Sequence, residues 1–159
     1  MSQSPLVTYL NDHLAGGTAA LDLIDHLLKD QPREQESELK ELRAEIDEDK
    51  ALLLRILEQV GGRESGVRAA AARLAGKLGQ AKLLLDSPGG REFRDFEALE
   101  GLALGIQGKA ALWRALAVLA GTVPDLAPHD FAGLERRAQE QFQRVDRLRL
   151  DAVRKALSS

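Results

Sequence analysis

The chain has no cysteine. Disulfides, thiol nucleophiles and zinc–thiolate sites are excluded, any metal must be held by histidine and carboxylate, and a reducing cytoplasm is the compartment expected. Aromatic residues are also scarce, at 4% with one Trp and one Tyr, which argues against a stacking platform for nucleic-acid bases. Long hydrophobic runs are missing. No uninterrupted apolar stretch approaches the roughly 20 residues of a membrane span, and the opening MSQSPLVTYLNDHLAGG lacks a basic leader, so neither export nor membrane insertion is expected.

What remains is rich in strong helix formers. With 44% hydrophobic and 30% charged residues, the 159-residue chain reads as one soluble helical domain over 1–159. Four breaks, KDQPRE, VGGRES, DSPGGRE and GTVPDLAPHD, carry turn and cap chemistry. They divide the chain into five predicted helices: Pro5 to Lys29, Arg33 to Val60, Ser65 to Leu85, Glu92 to Ala120 and His129 to Leu157. Short connections make sequential helices antiparallel neighbours, so the expected fold is all-α, an antiparallel bundle of five long helices. The third segment carries the apolar stripe Val67, Ala71, Leu74, Leu78, Ala81 and Leu85, with the four-and-three spacing of a buried helix face. No glycine cluster has the setting of a phosphate loop.

Charge is unevenly spread. Asp30 to Val60 holds ten acidic and five basic residues, whereas Gly133 to the C-terminus holds seven basic and four acidic. These two helices are complementary and are expected to face each other. The basic residues alternate with Glu135, Glu140, Asp146 and Asp151, a pattern that disfavours a nucleic-acid footprint.

Polar residues interrupt the apolar stripes at four positions. His13 falls among Leu6, Leu10, Gly17, Ala20 and Ile24, and Asp49 occupies the slot between Ile46 and Leu53. In a tight hairpin about KDQPRE, residues at one height have numbers summing to about 63, which sets His13 level with Asp49 and makes them an expected buried pair. Lys109 lies among Leu102, Ile106, Trp113 and Leu116, while Gln141 lies in the stripe Leu134, Ala138, Val145 and Leu148. Across GTVPDLAPHD the corresponding sum is about 250, so Lys109 is expected to reach Gln141 with its stem among Ile106 and Trp113. Asp12, Glu45 and Glu100 sit at edges near the height of His13. The alternative reading is therefore a His13, Asp49, Glu100, Asp12 and Glu45 site for iron, manganese or zinc.

The segments YLNDHLAGGTAALDLI and LEGLALGIQGKAALWRAL resemble an uncharacterised bacterial helical family placed near the ferritin-like bundles. That resemblance implies a ferritin-like four-helix core with one additional helix. Di-iron members carry Glu-x-x-His on two helices, and none of His13, His26 or His129 has glutamate at that spacing. The resemblance thus implies a scaffold without the di-iron site. The expected function is a non-catalytic bundle that binds a protein partner or forms a homodimer, with no catalytic residue and no cofactor. The alternative is a His/carboxylate metal protein linked to redox stress.

Overall fold

The computed structural model describes residues 4–30, 33–65 and 89–158, and the described residues are all-helical, without a strand. Four long helices are present: α1 (Pro5–Asp30), α2 (Arg33–Gln59), α3 (Arg91–Leu119) and α4 (Phe131–Leu157). A short 3-10 turn (Pro124–Leu126) leads into α4. The helix predicted over Ser65 to Leu85 lies outside the described residues apart from Ser65 itself.

Local chemistry sets the boundaries. Ser4 Oγ accepts from the Val7 N–H while Pro5 opens α1, where a missing N–H costs nothing. At the start of α4 the Asp130 side chain accepts from the Gly133 N–H at 2.9 Å. α2 ends where Gly61 takes a φ of +78°, a left-handed conformation that glycine adopts without steric cost. The following Gly62 N–H donates to the Leu57 carbonyl at 2.9 Å.

Side-chain pairs fix the helix directions. Arg43 Nε on α2 lies 2.6 Å from Asp25 on α1, and the Lys50 stem lies beside Gly17, so α1 and α2 run antiparallel. Arg114 to Glu135, Lys109 to Gln141 and Arg149 to Glu100 make α3 and α4 antiparallel. His26 near the end of α1 meets Asp95 near the start of α3 at 3.7 Å. Gln59 with His129 and Glu38 with Arg147 bracket an antiparallel α2–α4 pair. It follows that α2 and α3 point the same way, and that Ser65 and Gly89 lie at opposite ends of the bundle. One end is marked by Asn11, which bonds the Arg63 carbonyl and the Ser65 N–H; the other is marked by His26 and Asp95.

The core is a continuous layer between these helices, with Leu10, Ile24, Leu42, Ile56, Leu102 and Trp113 nearly inaccessible. Burial on this scale is the main stabilising term. α3 departs from the expectation that no segment is long and apolar enough to cross a membrane. By length and composition it is, with a mean hydropathy of 1.3 over its most apolar stretch, of which 33% is buried. The reason is that it is apolar on both sides: Leu102, Ile106, Leu112 and Leu116 face inward, while Leu104 and Val118 are 63% and 80% exposed.

Candidate functional site

At mid-height a polar cluster joins three helices. Asp49 on α2 is 4% exposed and Gln141 on α4 is 0% exposed. Between them enters Lys109 from α3, whose Nζ donates to Asp49 Oδ2 at 2.6 Å and to Gln141 Oε1 at 2.5 Å. Gln141 Nε2 donates in turn to Glu45 Oε2 at 3.0 Å and to Asp49 Oδ2 at 3.3 Å. The amide thus accepts from the cation on one side and donates to carboxylates on the other, which uses both halves of its bonding capacity.

Arginines of α4 close the cluster. Arg144 Nη1 donates to Glu45 Oε1 at 2.8 Å, and Arg137 Nη2 donates to the Glu45 carbonyl and to Glu48. Arg137 Nε lies 3.6 Å from Asp49 Oδ1. α2 and α4 therefore face each other, as their opposite charge implies, through long side chains rather than by close backbone packing. Burial pushes the Lys109 ammonium below its usual value; Asp49 opposes that fall and Arg137 adds to it. Burial raises Glu45, but hydrogen bonds from Arg144 and Gln141 outweigh it and hold the carboxyl below its ordinary value.

Of the expected polar pairs, Lys109 and Gln141 are bonded, and His13 and Asp49 line one pocket. Lys109 reaches Gln141, and it also takes Asp49, the residue assigned to His13. His13 is half-buried on α1, with the Tyr9 ring edge-on at 4.7 Å. The α1–α2 contacts run with numbers summing to about 67 or 68, as 17 with 50 and 25 with 43, rather than about 63. Asp49 is accordingly level with about residue 18 and turns across the bundle. The approach of a histidine to an aspartate between α1 and α3 is instead His26 to Asp95.

The carboxylates of the alternative metal reading are directed to cations: Asp49 to Lys109, Glu45 to Arg144 and Glu100 to Arg149 at 3.3 Å. Asp12 and His13 are half-buried on α1. Among the described residues no group of three His, Asp or Glu side chains has the arrangement of a metal site.

Two further polar residues were not singled out by the sequence. Asn11 is 2% exposed and ties α1 to the chain leaving α2; its position between Val7 and Leu14 on the inward face was the available signal. Asp95 is also buried. Beside the cluster, α1, α2 and α3 line a pocket of about 70 Å³ that is partly open to solvent, whose walls include His13, Asp49, Lys50, Lys109 and Trp113.

No family description, curated protein or solved structure matches this chain.

Proposed function

We propose that the protein is a non-catalytic helical bundle that self-associates through the outward face of α3. The observation that carries this reading is a stripe on that face, Gly101, Leu104, Gly108, Ala111, Ala115 and Val118, which alternates steps of three and four residues and leaves Leu104 and Val118 largely exposed. That spacing is the seam of a paired helix. Its occupant is a second copy of the same chain, because the flanks are self-complementary. Glu100 and Arg114 lie on one side of the seam, at 51% and 64% side-chain exposure. In an antiparallel pair, Glu100 of each copy faces Arg114 of the other while Leu104 seats against the gap at Gly108. A Cβ at Gly108 would meet nothing within 4 Å inside the chain, leaving that gap open to a neighbour.

The central cluster supports the non-catalytic half of the reading. An up, down, down, up helix order with one long connection is that of ferritin-like bundles, in which inward carboxylates hold metal. We read the chain as a ferritin-like scaffold in which the Lys109 ammonium supplies the positive charge between Asp49 and Gln141. A cation already bonded to the carboxylate leaves it a poor ligand for iron, manganese or zinc.

Sedimentation of the full chain tests the proposal. The expected mass is twice 17.3 kDa, and Leu104→Glu should give a monomer with unchanged helicity. A monomer at all concentrations up to about 100 µM overturns it.

A further inference from the structure

We infer that the pocket between α1, α2 and α3 binds one small carboxylate with an apolar body, the body against the inner wall and the charge at the mouth beside Lys50. This goes beyond self-association through α3 and does not depend on it.

The cation selects the sign of the ligand. Lys50 on α2 is half-buried and lines the pocket, and it has neither a hydrogen bond nor an ion pair among the described residues. The other half-buried lysines and arginines there are all engaged. Arg43, Lys109, Arg137, Arg144 and Arg149 each meet a carboxylate, and Arg94 donates to the Gly89 carbonyl. An ammonium that has given up part of its hydration without gaining a counter-ion attracts an anion more strongly than one in open water. Its stem is also laid in place. A Cβ at Gly17 would lie 3.4 to 3.7 Å from Lys50 Cβ, Cγ and Cδ, so the methylenes of this α2 residue rest against α1. Gly16 and Gly105 are exposed at the open side, and neither puts a side chain across the entrance.

The rest of the wall sets the number of charges and the size. Asp49 is held by Lys109 at 2.6 Å and has Arg137 Nε at 3.6 Å, so its charge is already matched and does not call for a cationic ligand. A dianion would bring a second negative charge toward that carboxylate with no second uncommitted ammonium to meet it. A single carboxylate is matched by Lys50, and His13 adds an imidazole to the same wall. Ala20, Ile46, Leu53, Ile106 and Leu112 supply the apolar surface. The pocket of about 70 Å³ takes a body of roughly five to seven heavy atoms, counting about 10 to 15 Å³ per water-sized centre. A benzene ring or a short branched chain has that size, and the open side lets the carboxylate keep part of its water.

Titration of the full chain with benzoate tests the inference. Trp113 lines the pocket and is the chain's only tryptophan, so its fluorescence reports on the wall. The signal should saturate with a dissociation constant in the millimolar range or below. Magnetisation transfer should run from the benzoate ring protons to the methyls of Ile46 and Ile106. Benzylammonium, which carries the same ring with the opposite charge, should bind at least about tenfold more weakly. Lys50→Met keeps the stem and removes the charge; it should retain the helicity and weaken benzoate about tenfold, while Lys50→Arg should bind within about threefold of the parent. Any of four results overturns the inference: no saturable response up to about 20 mM benzoate, equal binding of benzylammonium, unchanged benzoate affinity in folded Lys50→Met, or saturable binding without transfer to the Ile46 and Ile106 methyls, which would place the anion on the arginine-rich surface instead.

Discussion

Lys109 Nζ lies 2.6 Å from Asp49 Oδ2, across a gap between two helices that run in the same direction. Were Gln141 its only partner, replacing Lys109 by an apolar residue would remove a half-buried charge and leave stability near neutral or improved. Asp49 reverses the sign. Lys109→Met strands a carboxylate that is 4% exposed, and removing one member of a buried pair costs about 3 to 5 kcal/mol. Gln141 and Arg137 remain near Asp49, so the expected loss is about 3 kcal/mol. The double variant Asp49→Leu with Lys109→Met should lose less than the sum of the singles. Urea unfolding of the four proteins checks this, and additive effects would count against the pair.

The turn after α2 depends on two adjacent glycines in different ways. Gly61 needs its positive φ, so Gly61→Ala should cost about 1 to 2 kcal/mol through backbone strain. At Gly62 the obstacle is space: a Cβ would fall 2.4 Å from Leu57 Cδ1 and 3.0 Å from Val7 Cγ2. Gly62→Ala should therefore destabilise the α1–α2 contact as well, by about 1 to 3 kcal/mol. Thermal unfolding of each variant measures these losses, and a Gly62→Ala protein as stable as the parent would refute the close approach.

Acid should weaken the α2–α4 interface through Glu45. Burial acts to raise this carboxyl, while the hydrogen bonds from Arg144 and Gln141 bring its folded value below the ordinary one. A carboxylate with a depressed folded pKa stabilises the fold fully above its unfolded pKa and loses that contribution as pH falls through the folded value. Stability should consequently decline below about pH 4.5. Glu45→Gln should start lower at neutral pH and show a shallower decline. Asp25, lowered by its hydrogen bond to Arg43, contributes in the same direction. Equal pH slopes in the parent and Glu45→Gln would remove Glu45 from the account.

Much of the arrangement was legible because apolar period and break chemistry act locally. Pro5, Arg33 and Leu157 are helix limits in both the sequence reading and the structure. Lys109 and Gln141 could be brought together because both interrupt an otherwise apolar stripe. The partner of Asp49 was not legible, since it depends on the order of helices around the bundle, which no stripe encodes. His13 and Asp49, expected at one height, line the same pocket, and the bond from Lys109 to Asp49 joins a third helix to that side of the bundle. Glu45 was placed at an edge correctly, but its arginines lie on a helix almost a hundred residues away in sequence. The third apolar stripe, Val67 to Leu85, lies outside the described residues.

The arginine ladder on α4 should make stability depend on salt. Arg144 bonds Glu45 at 2.8 Å and lies within 3.7 Å of Glu38 and 3.6 Å of Glu41. A planar guanidinium can serve several carboxylates at once, whereas a lysine ammonium offers one compact charge. Arg144→Lys should therefore keep the charge yet lose about 0.5 to 1 kcal/mol, the scale of partly exposed ion pairs. Raising ionic strength from about 0.05 to 0.5 M shortens the screening length and should lower the parent's stability more than that of Arg144→Ala, which has already lost these contacts. The Asp49–Lys109 pair is shielded from solvent, so its coupling energy should change far less over the same range. A parent stability that stays level or rises with sodium chloride would show that these contacts across α2 and α4 contribute little to holding the two helices together.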